Sequence, residues 1–90
     1  MIYMISYDLN ADTGNYAAVY SAIRSLGDHV QCLESSWLVS TNLSAQQIYG
    51  VLSRVLSRGD RCFISQVHRG EYWGITTSSY NVWDWLTAHL

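Results

Sequence analysis

Apolar residues along the first part of the chain switch between strand-like runs and helical spacing. Residues 2–7 form a short, β-rich apolar run that ends at Asp8, which predicts a strand. A polar loop follows, and the next apolar residues recur at the spacing of a helix face, at Tyr16, Val19, Tyr20, Ile23 and Leu26. Gly27 is a helix stop behind them, so the first helix is predicted over residues 15–26.

Two extended segments and a second helix come next. Residues 29–33 and 36–41 predict two strands that are joined by a bend at residues 34–35. Ser44 and Gln47 then form an S-x-x-Q capping box, the clearest helix start in the chain. Apolar residues continue on one side of this helix as far as Leu56, so it is predicted to end near residues 57–59.

The remaining residues predict a strand over 62–67, a turn, a short returning strand over 72–76 and a last helix with Asn81 as its N-cap. The order strand–helix–strand–strand–helix–strand is that of the ferredoxin-like α+β fold, in which two helices cover one face of a four-stranded antiparallel sheet. We therefore predict one ferredoxin-like domain over residues 1–90, with an added C-terminal strand and short helix.

The first predicted strand is apolar on both of its sides. Tyr3, Ile5 and Tyr7 alternate along it with Ile2 and Met4. A sheet with two apolar faces needs cover on both of them, and the two predicted helices supply only one cover. We expect a second subunit to supply the other, which predicts a homodimer. The alternative is that the Trp-rich C-terminal segment folds back over this face within one chain.

Composition and charge restrict the classes of partner. The 90 residues include five Arg and no Lys, only 13% are charged, and the formal net charge is −2. Bulk duplex DNA is an unlikely partner for such a surface, and any nucleic-acid contact needs a local Arg patch. Cys32 and Cys62 form no zinc motif and are expected to be reduced thiols. No membrane span and no signal peptide is predicted, so we expect a cytoplasmic protein.

Several short motifs resemble one protein family. Residues 5–9, Ile-Ser-Tyr-Asp-Leu, resemble the opening of the second CRISPR-associated (Cas) protein family, whose first strand ends in Tyr-Asp and an aliphatic residue. Leu26 and Gly27 match its turn after the first helix, and residues 31–37 match its Gln-containing strand that leads into a Ser-aromatic segment. The pattern is also similar to virulence-associated protein D and to small bacterial proteins described as SinR-like. The resemblance covers most of residues 1–75 and implies a Cas-two-like homodimer in bacterial defence or phage counter-defence.

Asp8 is the strongest candidate for chemistry, because it ends a strand beside a polar loop. A two-fold dimer could bring two copies of Asp8 together, and facing carboxylates can hold a divalent cation. The resemblance implies that Asp8 matches the position proposed as metal ligand in nuclease-active relatives, with Mg²⁺ or Mn²⁺ as cofactor. The alternative is that Asp8 caps the following loop through backbone N–H groups.

Two further groups are candidates for ligand binding. The loop that carries Asn10 and Asp12 leads into the first helix and could place backbone N–H groups near a phosphate, although a capping loop is the simpler interpretation. Arg54 and Arg58 are four residues apart on the predicted second helix, and Arg61 lies just beyond it. These three cations predict an anion-binding ridge. The alternative is that they complement the negative end of the helix dipole and bind no ligand.

Three functions follow from these features. The first is binding of a nucleotide or a short single-stranded nucleic acid, which few charges and the absence of an evident catalytic motif favour. The second is a metal-dependent endoribonuclease that depends on Asp8 and resembles virulence-associated protein D. The third is a non-catalytic interaction module whose aromatic tail, including Trp73, Trp83 and Trp85, contacts another protein.

Overall fold

The computed structural model describes residues 1–74 and 81–90. In this part of the chain, four strands form one antiparallel sheet in the order β2-β3-β1-β4. The strands are β1 (Ile2–Asp8), β2 (Asp28–Leu33), β3 (Ser36–Ser40) and β4 (Arg61–Val67). The helices are α1 (Tyr16–Arg24), α2 (Ala45–Leu52) and α3 (Val82–His89). The chain therefore has the predicted α+β class.

The first helix begins and ends close to its predicted bounds. The Asn15 side chain is the N-cap and accepts a hydrogen bond of 3.1 Å from the backbone N–H of Ala18. Gly27 has a φ of +153°, and a Cβ at this position would lie 2.1 Å from the carbonyl oxygen of Ser40. A glycine is needed here because the chain turns closely against β3 after the helix.

The second helix confirms its predicted start but not its predicted end. Ser44 Oγ accepts from the backbone N–H of Gln47 at 3.1 Å, and Gln47 Oε1 accepts from that of Ser44 at 2.9 Å, which is the capping box. The helix ends at Leu52, because the backbone N–H groups of Arg54 and Val55 bond three residues back, to the carbonyl oxygens of Val51 at 3.4 Å and Leu52 at 3.0 Å. The prediction that it reaches residues 57–59 is wrong, since the apolar residues after Leu52 pack on the core from a turn.

The sheet carries a buried apolar cluster on each face. On the first face, β1 residues Tyr3, Ile5 and Tyr7 pack with α1 and α2. On the second face, Ile2 and its neighbours on β2 and β3 pack against α3, whose buried residues are Val82 and Leu86. Within one chain α3 therefore covers part of the face for which we expected a second subunit.

The described part of the fifth predicted strand differs from the prediction. Residues 72–74 of the predicted strand over 72–76 form no strand, and residues 75–76 lie outside the described residues. Tyr72 instead packs, half-buried, against the cluster beneath α3. The last helix is confirmed at residue 82, although the Asn81 side chain makes no capping hydrogen bond.

Two further sequence expectations concern membranes and thiols. Among the described residues no helix has the length and apolar character that crossing a membrane requires. Cys32 is buried, Cys62 is half-buried, and both are free thiols. Burial raises the pKa of both thiols, so neither is an activated nucleophile.

Candidate functional site

The end of β1 and the start of β4 bring together residues that are far apart in sequence. Asp8 lies directly opposite Arg61 in the β1–β4 register, and their side chains form a salt bridge. The pair is open to water, since the Asp8 side chain is 67% exposed and that of Arg61 is 79% exposed. A pair this exposed contributes at most about 1 kcal/mol, and it neutralises the candidate carboxylate.

The loop after β1 is held against the loop before β4 by Asp60. One carboxylate oxygen of Asp60 accepts from the backbone N–H of Asn10 at 2.6 Å, and the other accepts from that of Ser57 at 2.7 Å. Sequence analysis did not select Asp60. Its local signal is the Ser57-x-x-Asp60 spacing around Gly59, which is typical of a side chain that caps its own turn.

Asn10 and Asp12 are placed in this loop, where Asn10 has a structural role. Its side-chain oxygen accepts from the backbone N–H groups of Asp12 at 2.9 Å and Thr13 at 3.2 Å. Thr13 Oγ1 in turn donates to the carbonyl oxygen of Arg58 at 3.2 Å. The N–H groups of residues 12 and 13 are thus already bonded within the loop, which supports the capping interpretation over phosphate binding.

The three predicted cations do not form one ridge on a helix. Arg54 and Arg58 follow the end of α2 and are exposed, whereas Arg61 begins β4 and is bound to Asp8. The loop nevertheless brings Arg58 and Arg61 to the same end of the sheet as Asp8 and Asn10. Arg54 makes no described contact with this group.

A single chain does not fit a divalent cation at Asp8. The described residues hold no group of three or more His, Cys, Asp and Glu side chains that could bind a metal ion. Asp8 is paired with Arg61, and both oxygens of the neighbouring Asp60 accept backbone hydrogen bonds. Binding of Mg²⁺ or Mn²⁺ would need further ligands, such as a second copy of Asp8, and displacement of Arg61, so it stays a prediction.

Sequence analysis also missed Phe63, the most exposed apolar side chain on the sheet. It is 72% exposed and lies opposite Ser6 in the β1–β4 register. Strand alternation places it on the second face with Arg61, whereas Cys62 and Ile64 pack on the first face. The available signal was the alternation in β4, which places the single Phe of the chain on the face opposite to that of Cys62 and Ile64.

Ser6, Asp8, Arg61 and Phe63 together form an exposed surface that we call the open platform. With Tyr7 and Cys62 they line an open groove of about 260 Å³. The Ser6 hydroxyl is held 3.0 Å from the hydroxyl of buried Ser36 on β3. The platform therefore combines an apolar ring, a guanidinium group, a carboxylate and an oriented hydroxyl, and the cluster beneath α3 includes none of its residues.

Tyr7 supports the platform from the other side of β1. Its buried hydroxyl accepts a hydrogen bond of 3.1 Å from Trp37 Nε1 on β3. Burial, with Tyr20 beside it, raises the pKa of the Tyr7 hydroxyl, so this group stays neutral. This hydrogen bond joins the end of β1 to β3.

Comparison of the chain with protein-family models, curated proteins and solved structures found no match.

Proposed function

We propose that the protein binds a nucleotide, or the end of a single-stranded nucleic acid, on the open platform. The observation that carries this proposal is the Phe63 ring, which is 72% exposed on the same sheet face as Arg61. Stacking of a base on an aromatic side chain contributes about 1–3 kcal/mol and tolerates any base. A guanidinium group is well suited to bind the phosphate of the same nucleotide.

The spacing of these groups supports one nucleotide as the unit of binding. Residues two apart on one strand face are about 7 Å apart, so a base on Phe63 leaves its phosphate within reach of the long Arg61 side chain. The Ser6 hydroxyl can donate or accept a hydrogen bond at the base edge or the sugar. Asp8 holds Arg61 in the free protein, and phosphate binding would exchange one anionic partner of Arg61 for another.

We also propose that the domain is ferredoxin-like. The order β1-α1-β2-β3-α2-β4, the strand order β2-β3-β1-β4 and the packing of α1 and α2 on one face support this assignment. It agrees with the resemblance of residues 1–75 to the Cas-two-like family, on which the homodimer and a role in defence depend. By analogy, RNA-recognition domains use aromatic side chains on the face of a four-stranded sheet to stack bases.

Binding of AMP by the wild type and four variants tests the proposal. Phe63→Ala and Arg61→Gln should each weaken binding about tenfold, which corresponds to about 1.4 kcal/mol. The matched controls are Tyr49→Ala, which removes an aromatic side chain that is 53% exposed on α2, and Arg54→Gln, and both should bind like the wild type.

Unchanged affinity in Phe63→Ala, or no binding of AMP by the wild type, would contradict the proposed function. Mg²⁺-dependent RNA cleavage that is lost in Asp8→Ala but kept in Phe63→Ala would instead support the endoribonuclease.

A further inference from the structure

We infer that the binding surface continues along β4 to a second aromatic group, so that the ligand is a single strand of several nucleotides. This inference rests on the proposed function of the open platform. The second group is formed by Trp73 and Trp83, which we call the Trp pair. Trp73 is 94% exposed and Trp83 is 40% exposed. Their rings meet edge to face, with 5.6 Å between the ring centroids.

The Trp pair borders the same face of the sheet as Phe63. Trp73 and Trp83 line a cavity of about 90 Å³ together with Val67 and Met4, which belong to the second face. Val67 is four residues beyond Phe63 on β4, and strand alternation puts both on this face. This path, from Phe63 to Val67 along β4, is about 14 Å long at about 3.4 Å per residue.

This separation decides the size of the ligand. A stacked strand rises about 3.4 Å per nucleotide, so 14 Å corresponds to up to about four nucleotides. A mononucleotide stacked on Phe63 is therefore too short to extend along β4 as far as Val67, which borders the cavity of the Trp pair. An oligonucleotide can contact both, and each additional stacked base adds to its affinity.

The charges along the path favour stacking over bulk electrostatic attraction. β4 carries no acidic residue, and arginines lie at both of its ends, Arg61 at its first residue and Arg69 shortly after its last. Arg69 donates from Nη2 to the carbonyl oxygen of Leu90 at 2.7 Å, which uses one of the five N–H donors of its guanidinium group. Glu71 and Asp84 are exposed beside the Trp pair, and their negative charges offset the electrostatic attraction of phosphates at this end of the path. Affinity there therefore depends on the stacking of bases on the Trp rings.

The experiment compares thymidine monophosphate with a hexamer of thymidylate, dT6, on the wild type, Phe63→Ala, Trp73→Ala and Trp73→Phe. We expect dT6 to bind the wild type at least tenfold more tightly than the monophosphate. Trp73→Ala should lose about fivefold to tenfold in dT6 affinity and nothing in monophosphate affinity. Trp73→Phe, which keeps a ring that stacks, should recover most of the dT6 affinity.

The outcomes separate the two proposals. If Phe63→Ala binds the monophosphate like the wild type, the proposed function fails. If Phe63→Ala weakens monophosphate binding but Trp73→Ala leaves dT6 affinity unchanged, only the extended surface fails. Equal affinity of the wild type for both ligands would also contradict the extended surface, and would favour a protein as the partner of the Trp pair.

A fluorescence measurement on the wild type tests the extended surface without any substitution, so an effect of a variant on folding cannot account for its result. Binding of dT6 should quench tryptophan emission, because a base stacks on the exposed Trp73, while saturating monophosphate should leave the emission unchanged. Equal quenching by both ligands would contradict the two-part surface. Since Trp73 is 94% exposed, Trp73→Ala should also keep the melting temperature of the wild type.

Discussion

Two aspartates at the same end of the sheet have different roles. Asp8 makes one solvent-exposed salt bridge, whereas Asp60 accepts hydrogen bonds from two backbone N–H groups and joins two loops. The capping role that sequence analysis considered for Asp8 thus belongs to Asp60. Stability should depend on Asp60, and ligand binding should depend on the pair of Asp8 and Arg61.

Urea unfolding of Asp60→Ala and Asp8→Ala tests this division. Asp60→Ala should lower the free energy of unfolding by about 3 kcal/mol, because two hydrogen bonds to a charged group are lost and each is worth at least about 1.5 kcal/mol. Asp8→Ala should change it by less than about 1 kcal/mol. Equal losses in the two variants would show that Asp8 also holds its loop.

Two glycines make a matched pair for testing the backbone. Gly27→Ala should destabilise the protein by about 2 kcal/mol or more, because φ is +153° and the new Cβ would meet the Ser40 carbonyl oxygen at 2.1 Å. Gly50→Ala should stabilise it by about 0.5–1 kcal/mol, because Gly50 lies within α2 and a Cβ there meets nothing within 4 Å. Thermal unfolding measures both, and equal effects would contradict the turn geometry at Gly27.

Asp8 and Asp60 also show the limits of sequence-based prediction at this scale. The position of Asp8 at a strand end is local and was predicted from the apolar run before it. Its salt bridge joins residues 53 apart in sequence and depends on the register of β1 against β4. A local pattern contains no information on that register, so the neutralisation of Asp8 by Arg61 could not be predicted.

Among the elements, α3 is held to the sheet by a histidine. The ring of His89 lies with Nδ1 2.8 Å from the Trp85 carbonyl oxygen and Nε2 3.2 Å from a carboxylate oxygen of Asp28 on β2. Both partners only accept hydrogen bonds, so both ring nitrogens must carry a proton and His89 is positively charged in this geometry. The Trp85 carbonyl and then Asp28 raise the pKa of His89, which agrees with that charge.

The raised pKa of His89 gives a pH dependence with a definite sign. Because the folded-state pKa lies above the unfolded value of about 6.5, the stabilisation is fully present below about pH 6.5 and is lost as pH rises through the folded pKa. His89→Gln should therefore lower the melting temperature more at about pH 5.5 than at about pH 8.5. Asp28→Asn should reduce this dependence, and equal losses at both pH values would contradict the contact.

Elements with strong local signals were predicted, and those decided by tertiary packing were not. The periodicity of α1 and the capping box of α2 are properties of a few neighbouring residues. The early end of α2 depends on a turn that keeps Val55 and Leu56 on the core, which helical spacing cannot distinguish from a longer helix. The placement of α3 on the second face was given only as the alternative to a second subunit, because it depends on which apolar surface α1 and α2 leave open.

For the whole molecule, α3 weakens the main reason for expecting a homodimer. Ile2, which lies on the side of β1 that needs a second cover, is buried in the cluster with Val82 and Leu86 of α3 in the same chain. The homodimer stays a prediction, and a second copy would have to contact the open platform or the edge of the sheet. A mass near 10.2 kDa, that of one chain, measured by light scattering at micromolar concentration would contradict the homodimer.

The charge of the molecule predicts how salt affects binding. The net charge is −2, and the path has one arginine at each end, Arg61 at the start of β4 and Arg69 after its last residue, so a single strand is expected to make about one or two phosphate contacts. The slope of log affinity against log salt should therefore be shallow, about −0.7 to −1.4, at roughly −0.7 per phosphate contact. Duplex DNA should bind weakly, and tight duplex binding with a steep slope would contradict a stacking surface.

The central claim is that a nucleotide binds on the face of the sheet that carries Phe63. A titration with AMP followed by two-dimensional ¹H–¹⁵N NMR tests this claim most directly, because it reports the binding site residue by residue. We predict that chemical shift changes concentrate at Ser6, Asp8, Arg61 and Phe63 and leave the exposed side of α2 at Tyr49 unchanged. Changes confined to α1 and α2, or no changes at saturating AMP, would contradict the account.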